Sequence, residues 1–142
     1  MNWKEEVMDK LRKYDAMSNA AHAIPRELDY LKEEAYAIQA AQMDRTGGRN
    51  IRGHEDRLMN IVVKQQELEI LLNNTENWLR LMDRALEKLP AWDRKILKHL
   101  YMESRPVSQV CQELGMERSS LYRHRDQALR ELTLQMYGAL ES

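Results

Sequence analysis

The chain has 142 residues, 43% of them hydrophobic, with five glycines, three prolines and no phenylalanine, which suits one domain or two small ones with a core of their own. Few helix breakers beside many Leu, Glu, Lys, Arg and Met predict helix almost throughout, and no alternating run offers a strand. No run of about eighteen apolar residues exists for a membrane span, the opening MNWKEEVMDK lacks the apolar centre of a signal peptide, and the single Cys111 cannot form an internal disulfide, so a cytoplasmic protein with no membrane partner is expected.

Residues Asn2 to about His22 carry Trp3, Val7, Leu11, Tyr14, Met17 and Ala21 at helical spacing, the mark of a first amphipathic helix. Pro25 has no amide hydrogen and biases Ile24 away from helical geometry, so a break or kink is expected there. A second helix runs from about Arg26 to Arg45 on the stripe Leu28, Leu31, Ala35, Ile38 and Gln42, and Thr46 to Gly53 reads as a loop. Its arginines, with Arg45 and Arg57 on either side, read as solvated positions.

The third helix is long. Leu58, Ile61, Gln65, Leu68, Leu72, Thr75, Leu79, Met82, Leu86 and Leu89 step by three and four without a slip, a heptad seam that must pack on another helix. From His54 to Leu89 it spans about 54 Å, against about 30 Å for Arg26 to Arg45. An antiparallel hairpin therefore covers just over half of it. Either the N-terminal helix folds along the rest or a second copy of the chain supplies the surface; a homodimer through residues 1–89 is the favoured expectation, with the polar Gln65 and Thr75 setting its register.

Leu89-Pro90 marks the boundary between that region and residues 90–142. Trp92, Ile96, Leu97, Leu100 and Tyr101 form the apolar face of a fourth helix, and Ser104-Arg105-Pro106 turns the chain. Val107, Val110, Cys111 and Leu114 then share one face of a short helix. Gly115 ends it in the left-handed conformation open to glycine, Met116 fills the gap behind, and a last helix starts near Arg118 with Leu121, Ala128, Leu129 and Leu132 inward. A prolongation or short extra helix follows over 134–140. Arg118, Ser119, Tyr122, Arg123 and Asp126 are left outside. A short helix, a tight glycine turn and a second helix presenting arginines and hydroxyls is the geometry that sets side chains against base edges in a major groove, although two amphipathic helices joined by glycine also occur with no nucleic acid nearby. Between Arg118 and Arg130 stand four arginines and one aspartate in a chain whose net charge is −1, so positive charge gathers on this helix.

The segment from Leu89 to Leu132 resembles region 4, the promoter-binding module of the sigma-70 class. The match runs without gaps through GMERSSLYRHRDQALREL, and Leu89-Pro90 with Asp93, Arg94, Ile96 and Leu97 resembles the family's opening helix. The resemblance implies base contacts at Arg118, Ser119, Tyr122 and Arg123 and phosphate contacts at Lys95 and near Ser108. Ser120, Gln127 and Arg130 complete the DNA-facing set expected of this helix. His124 stands where the family has an inward aliphatic residue and Glu117 where it has a capping Ser or Thr, so a less well capped recognition helix is expected. In length and in the position of this module the whole chain resembles the RinA and ArpU type of phage and prophage late transcriptional activators.

The expectation is therefore an all-α chain, a helical hairpin or coiled coil joined to a helix-turn-helix, acting as a sequence-specific regulator of transcription on double-stranded DNA. Activation, and work beside RNA polymerase, come from the resemblance alone. Two other readings stay open: a phage DNA-packaging adaptor of the small-terminase kind, and a helical protein-interaction module. His22, His54, His99 and His124 make no ligand spacing, and no nucleophile sits beside a base. Neither metal, cofactor nor catalysis is expected.

Overall fold

The structure, a computed structural model, describes residues 2–43 and 51–138. The chain is all-α: α1 (Trp3–Met43), α2 (Ile51–Glu87), α3 (Ala91–Leu97) continued by a π turn (Lys98–Met102), α4 (Val107–Leu114) and α5 (Arg118–Tyr137). Asn2 caps α1, its side-chain oxygen accepting from the amides of Lys4 and Glu5 at 3.1 and 3.3 Å, with Glu5 and Glu6 in the first turn where carboxylates suit the helix dipole.

Pro25 does not end that helix. α1 runs through it as one element of 41 residues, correcting the expected break. The apolar register explains why: Tyr14, Met17, Ala21, Ile24, Leu28, Leu31, Ala35 and Ile38 keep the three-and-four step across the proline, and Ile24 is buried while Pro25 is exposed. A proline inside a helix costs about 3 kcal/mol, and burying the residues on both sides of it in one phase outweighs that. The Arg26 side chain donates from Nε to the carbonyl of His22 at 3.4 Å, one turn back. The second correction lies at the start of α2. Ile51, Arg52 and Gly53 are helical instead of loop; Arg45, Arg49 and the rest of the expected loop lie outside the described residues.

The chain divides into two compact units, Met1–Ser18 with Asn77–Ser142, and Asn19–Glu76. The expected boundary at Leu89-Pro90 thus falls inside the first. In the second unit α1 and α2 pack antiparallel: Leu31, Ile38 and Ile61 are buried, with Ala35, Leu58 and Leu68 against them. Glu27 pairs with Lys64 at 3.6 Å and Glu34 with Arg57 at 3.9 Å, so α1 rises as α2 descends. Exposed pairs of this kind contribute at most about 1 kcal/mol each; they mark register more than they hold it. In the first unit the opening turns of α1 place Val7 and Leu11, both fully buried, against Met82 and Leu86 of α2, Leu89 just past its end, and Leu97, Tyr101, Ala128, Leu129 and Leu132. Tyr14 donates its hydroxyl hydrogen bond to Asp83.

Every residue of the expected α2 seam is buried or half-buried, Thr75 among the most enclosed at 2% exposure. With α1 unbroken, the two long helices have 41 and 37 residues, and the length mismatch that suggested a second copy disappears.

Candidate nucleic-acid interface

The last helix is held from behind by two sets of apolar residues. Ile96 of α3, Val110 of α4 and Leu121 of α5 are each 0% exposed, with Leu100, Val107, Cys111, Leu114 and Met116 packed around them. Further along, Ala128, Leu129 and Leu132 enter the larger core, and Thr133, buried among them, satisfies its hydroxyl by donating to the Leu129 carbonyl at 2.6 Å. All four inward residues expected of α5 are thus enclosed. Burying them fixes which side of the helix meets solvent.

The turn into α5 is set by Gly115, at φ 64° and ψ 37°. Its amide and that of Met116 both donate to the Cys111 carbonyl, the latter at 3.0 Å, closing the last turn of α4. α5 opens with Glu117 in extended geometry and no side-chain hydrogen bond to the first turn, so the weaker capping that the sequence suggests is found. A second left-handed residue, Ser104 at φ 53°, lies in the loop before α4. There Arg105 bridges Glu103 at 2.8 Å and Glu113 of α4 at 2.5 Å. The hydrogen bond with the His99 ring, followed by the charge of Arg105, holds the Glu103 carboxyl below its ordinary range. Sequence reasoning missed this clamp, because its members come from the π turn, the loop and α4.

On α5, Ser119, Arg123, Gln127 and Arg130 are exposed on the outer side, Arg118 is exposed in the first turn, and Ser120 and Tyr122 are half-buried. Arg123, Gln127 and Arg130 line one shallow open groove with Asp126, Glu131 and Leu134. The four arginines are not equivalent. Arg125 pairs with Asp126 at 2.8 Å and lies 4.7 Å over the Tyr122 ring, which neutralises both charges and covers one face of that tyrosine. Arg118, Arg123 and Arg130 have no carboxylate within ion-pair distance among the described residues. The positive charge open to a ligand therefore sits at these three positions, with Ser119 and Gln127 between them.

Lys95 is exposed on α3 and Ser108 in the first turn of α4; α3 and α4 both pack against α5. Trp92, expected on the inner face of α3, is instead 40% exposed, and Asp93 is buried in its stead. The inward positions of that segment are 93, 96, 97, 100 and 101, and Trp92 falls one residue out of phase. His124, at the position expected to be aliphatic, lies 3.7 Å from the buried Asp93 carboxylate and so ties α5 to α3. The Arg94 side chain donates to the Leu89 carbonyl at 3.3 Å, bracing the joint before Pro90.

An all-α protein with a solvent-facing arginine row on its last helix is what these elements define. By comparison with known families, a family described as protein of unknown function, DUF1492, matches residues 38–133, about two thirds of the sequence, and the chain belongs to it. No curated protein and no solved structure matches the chain. Among the described residues no helix is long and apolar enough to cross a membrane.

Proposed function

We propose that this protein is a sequence-specific DNA-binding regulator of transcription, with α5 as the helix that enters the major groove. The observation that carries the reading is the row Ser119, Arg123, Gln127 and Arg130, exposed on the side of α5 opposite the buried Leu121, Ala128, Leu129 and Leu132, with Arg118 exposed in the first turn of the same helix. A major groove about 12 Å wide admits one helix. Arg118 to Arg130 covers about 18 Å at ~1.5 Å per residue, enough to span several base pairs. Arginine meets guanine with two parallel hydrogen bonds and glutamine meets adenine likewise, Ser119 adds a hydroxyl to the base-reading set, and Lys95 and Ser108 serve phosphates. Tyr122, half-buried beneath Arg125, contributes through its hydroxyl edge. The resemblance to sigma-70 region 4 and to the RinA and ArpU activators extends the reading to a phage-encoded late activator working with the host RNA polymerase in the bacterial cytoplasm.

The test is recovery of bound genomic fragments by the purified protein at physiological salt, beside the Arg118→Ala/Arg123→Ala double variant. Both substitutions fall on exposed side chains and leave the core untouched. Discrete sites enriched by the wild type and lost by the variant, with helical content retained, are expected. Equal enrichment by both, or by neither with RNA polymerase present, refutes the assignment, and a ring of eight or more copies by mass would favour a packaging adaptor.

A further inference from the structure

The first unit carries a second surface whose chemistry DNA reading does not use. Between the opening turns of α1, the end of α2 and the end of α5 lies a half-open cavity of about 270 Å³. Trp78, Leu81 and Met136 give it an apolar wall, and Lys10, Arg84 and Lys88 stand at its edge. No carboxylate lines it. Arg84 in the last turn of α2 and Lys88 just past its end are exposed and make no ion pair among the described residues, and Leu81, at 64% exposure, is one of the most open large apolar side chains there.

Ring and hydrogen-bond contacts brace the walls. Trp78 leans on Tyr14, whose hydroxyl is held by Asp83, with ring centroids 6.3 Å apart. Tyr137 packs on Trp3 with ring centroids 4.5 Å apart and carries Lys10 over its face at 5.0 Å. A prearranged pocket spends little of its binding energy on ordering.

From this we infer that the cavity is a docking site for a partner protein, specifically for an acidic amphipathic helix that lays one or two apolar side chains against Trp78, Leu81 and Met136 while its carboxylates meet Lys10, Arg84 and Lys88. Two features select this occupant. The cavity is smaller than the roughly 300–1,000 Å³ of small-molecule sites, yet it fits the anchor residues of a helix laid in a groove. Its rim holds three cations around an apolar floor, a pattern that complements carboxylates flanking a hydrophobic anchor, whereas a DNA backbone brings phosphates and nothing apolar to fill the floor. The inference does not depend on the DNA-binding reading.

The experiment is calorimetric titration of the full chain with a synthetic helical peptide of about fourteen residues, Leu and Phe at positions i, i+3 and i+7 and Glu or Asp elsewhere, beside a scrambled peptide of the same composition. Binding of the amphipathic peptide in the micromolar range is expected, at least about tenfold tighter than the scrambled one. Arg84→Glu/Lys88→Glu and, separately, Leu81→Asp should each weaken it at least about tenfold; all three side chains are exposed, and a circular-dichroism melt checks the fold. Absence of binding at about 1 mM peptide, or equal binding of the scrambled peptide, overturns the inference. So does indifference to Leu81→Asp. If Arg84→Glu/Lys88→Glu instead leaves the peptide unaffected and weakens duplex DNA, the rim is a phosphate contact and the inference is likewise overturned.

Discussion

Replacing Gly115 by alanine separates two reasons a turn may need glycine. At φ 64° and ψ 37° the backbone lies in the left-handed region, where an L side chain costs about 1–2 kcal/mol. A Cβ built there meets nothing within 4 Å, so no steric term adds to it. Alanine also restricts the unfolded chain, returning about 0.4–1 kcal/mol. The net loss should therefore be about 1 kcal/mol, with Gly115→Asn costing less because asparagine tolerates this conformation better. Urea unfolding followed by circular dichroism measures both, with the slope of the transition unchanged from wild type. Since the alanine leaves the Met116-to-Cys111 hydrogen bond in place, affinity for a selected DNA site should fall less than about threefold. A loss above about 3 kcal/mol, or asparagine no better than alanine, would refute the reasoning and mean that the α4–α5 turn is set by packing instead of backbone conformation.

Two further substitutions probe α1. Pro25→Ala should raise stability by about 1–3 kcal/mol, since the ring is exposed and an amide donor would be restored to the preceding turn; unchanged or lower stability in urea would mean that the helix does not run through this position as one element. Tyr14→Phe should cost about 1 kcal/mol at neutral pH, the worth of one hydrogen bond. Burial and the Asp83 carboxylate push the Tyr14 hydroxyl up from 10.0 to about 12, so the folded state keeps a proton that the unfolded chain loses. Its contribution is complete below pH 10 and is lost as pH rises through 12. Wild type should lose more stability than the phenylalanine variant across that window, and parallel curves would show the hydrogen bond to be absent in solution.

Much of the site was legible because it is local. Leu121, Ala128, Leu129 and Leu132 share a face by their spacing, and Gly115 follows the last apolar residue of α4, so both inward side and turn could be read in order. Pro25 misled because residue type outweighed register: the apolar step passes through Ile24 in phase, and that continuity was the signal of an unbroken helix. Trp92 was misplaced for the same reason, since the phase of Ile96, Leu97, Leu100 and Tyr101 points to residue 93 whatever its polarity. The Arg125–Asp126 pair is adjacent in sequence, but which arginine it removes from the outer row depends on side-chain direction. The basic-rimmed cavity joins residues 10, 78–88 and 136, a combination no window along the chain contains.

That Val7 and Leu11 share a core with Ala128, Leu129 and Leu132 has a consequence for synthesis. About 120 residues separate the two sets, and contacts of such long range are slow to form and can form only once both segments exist. While the chain is being made, the apolar face of the opening turns has no partner from α5 until α5 itself is translated, the interval in which exposed hydrophobic surface invites misassembly or chaperones. A chain stopped before about residue 121 lacks the buried residues of α5 and leaves Val7 and Leu11 partly uncovered. The exposed arginines of α5 are thus presented on a closed core only by a product translated through that helix.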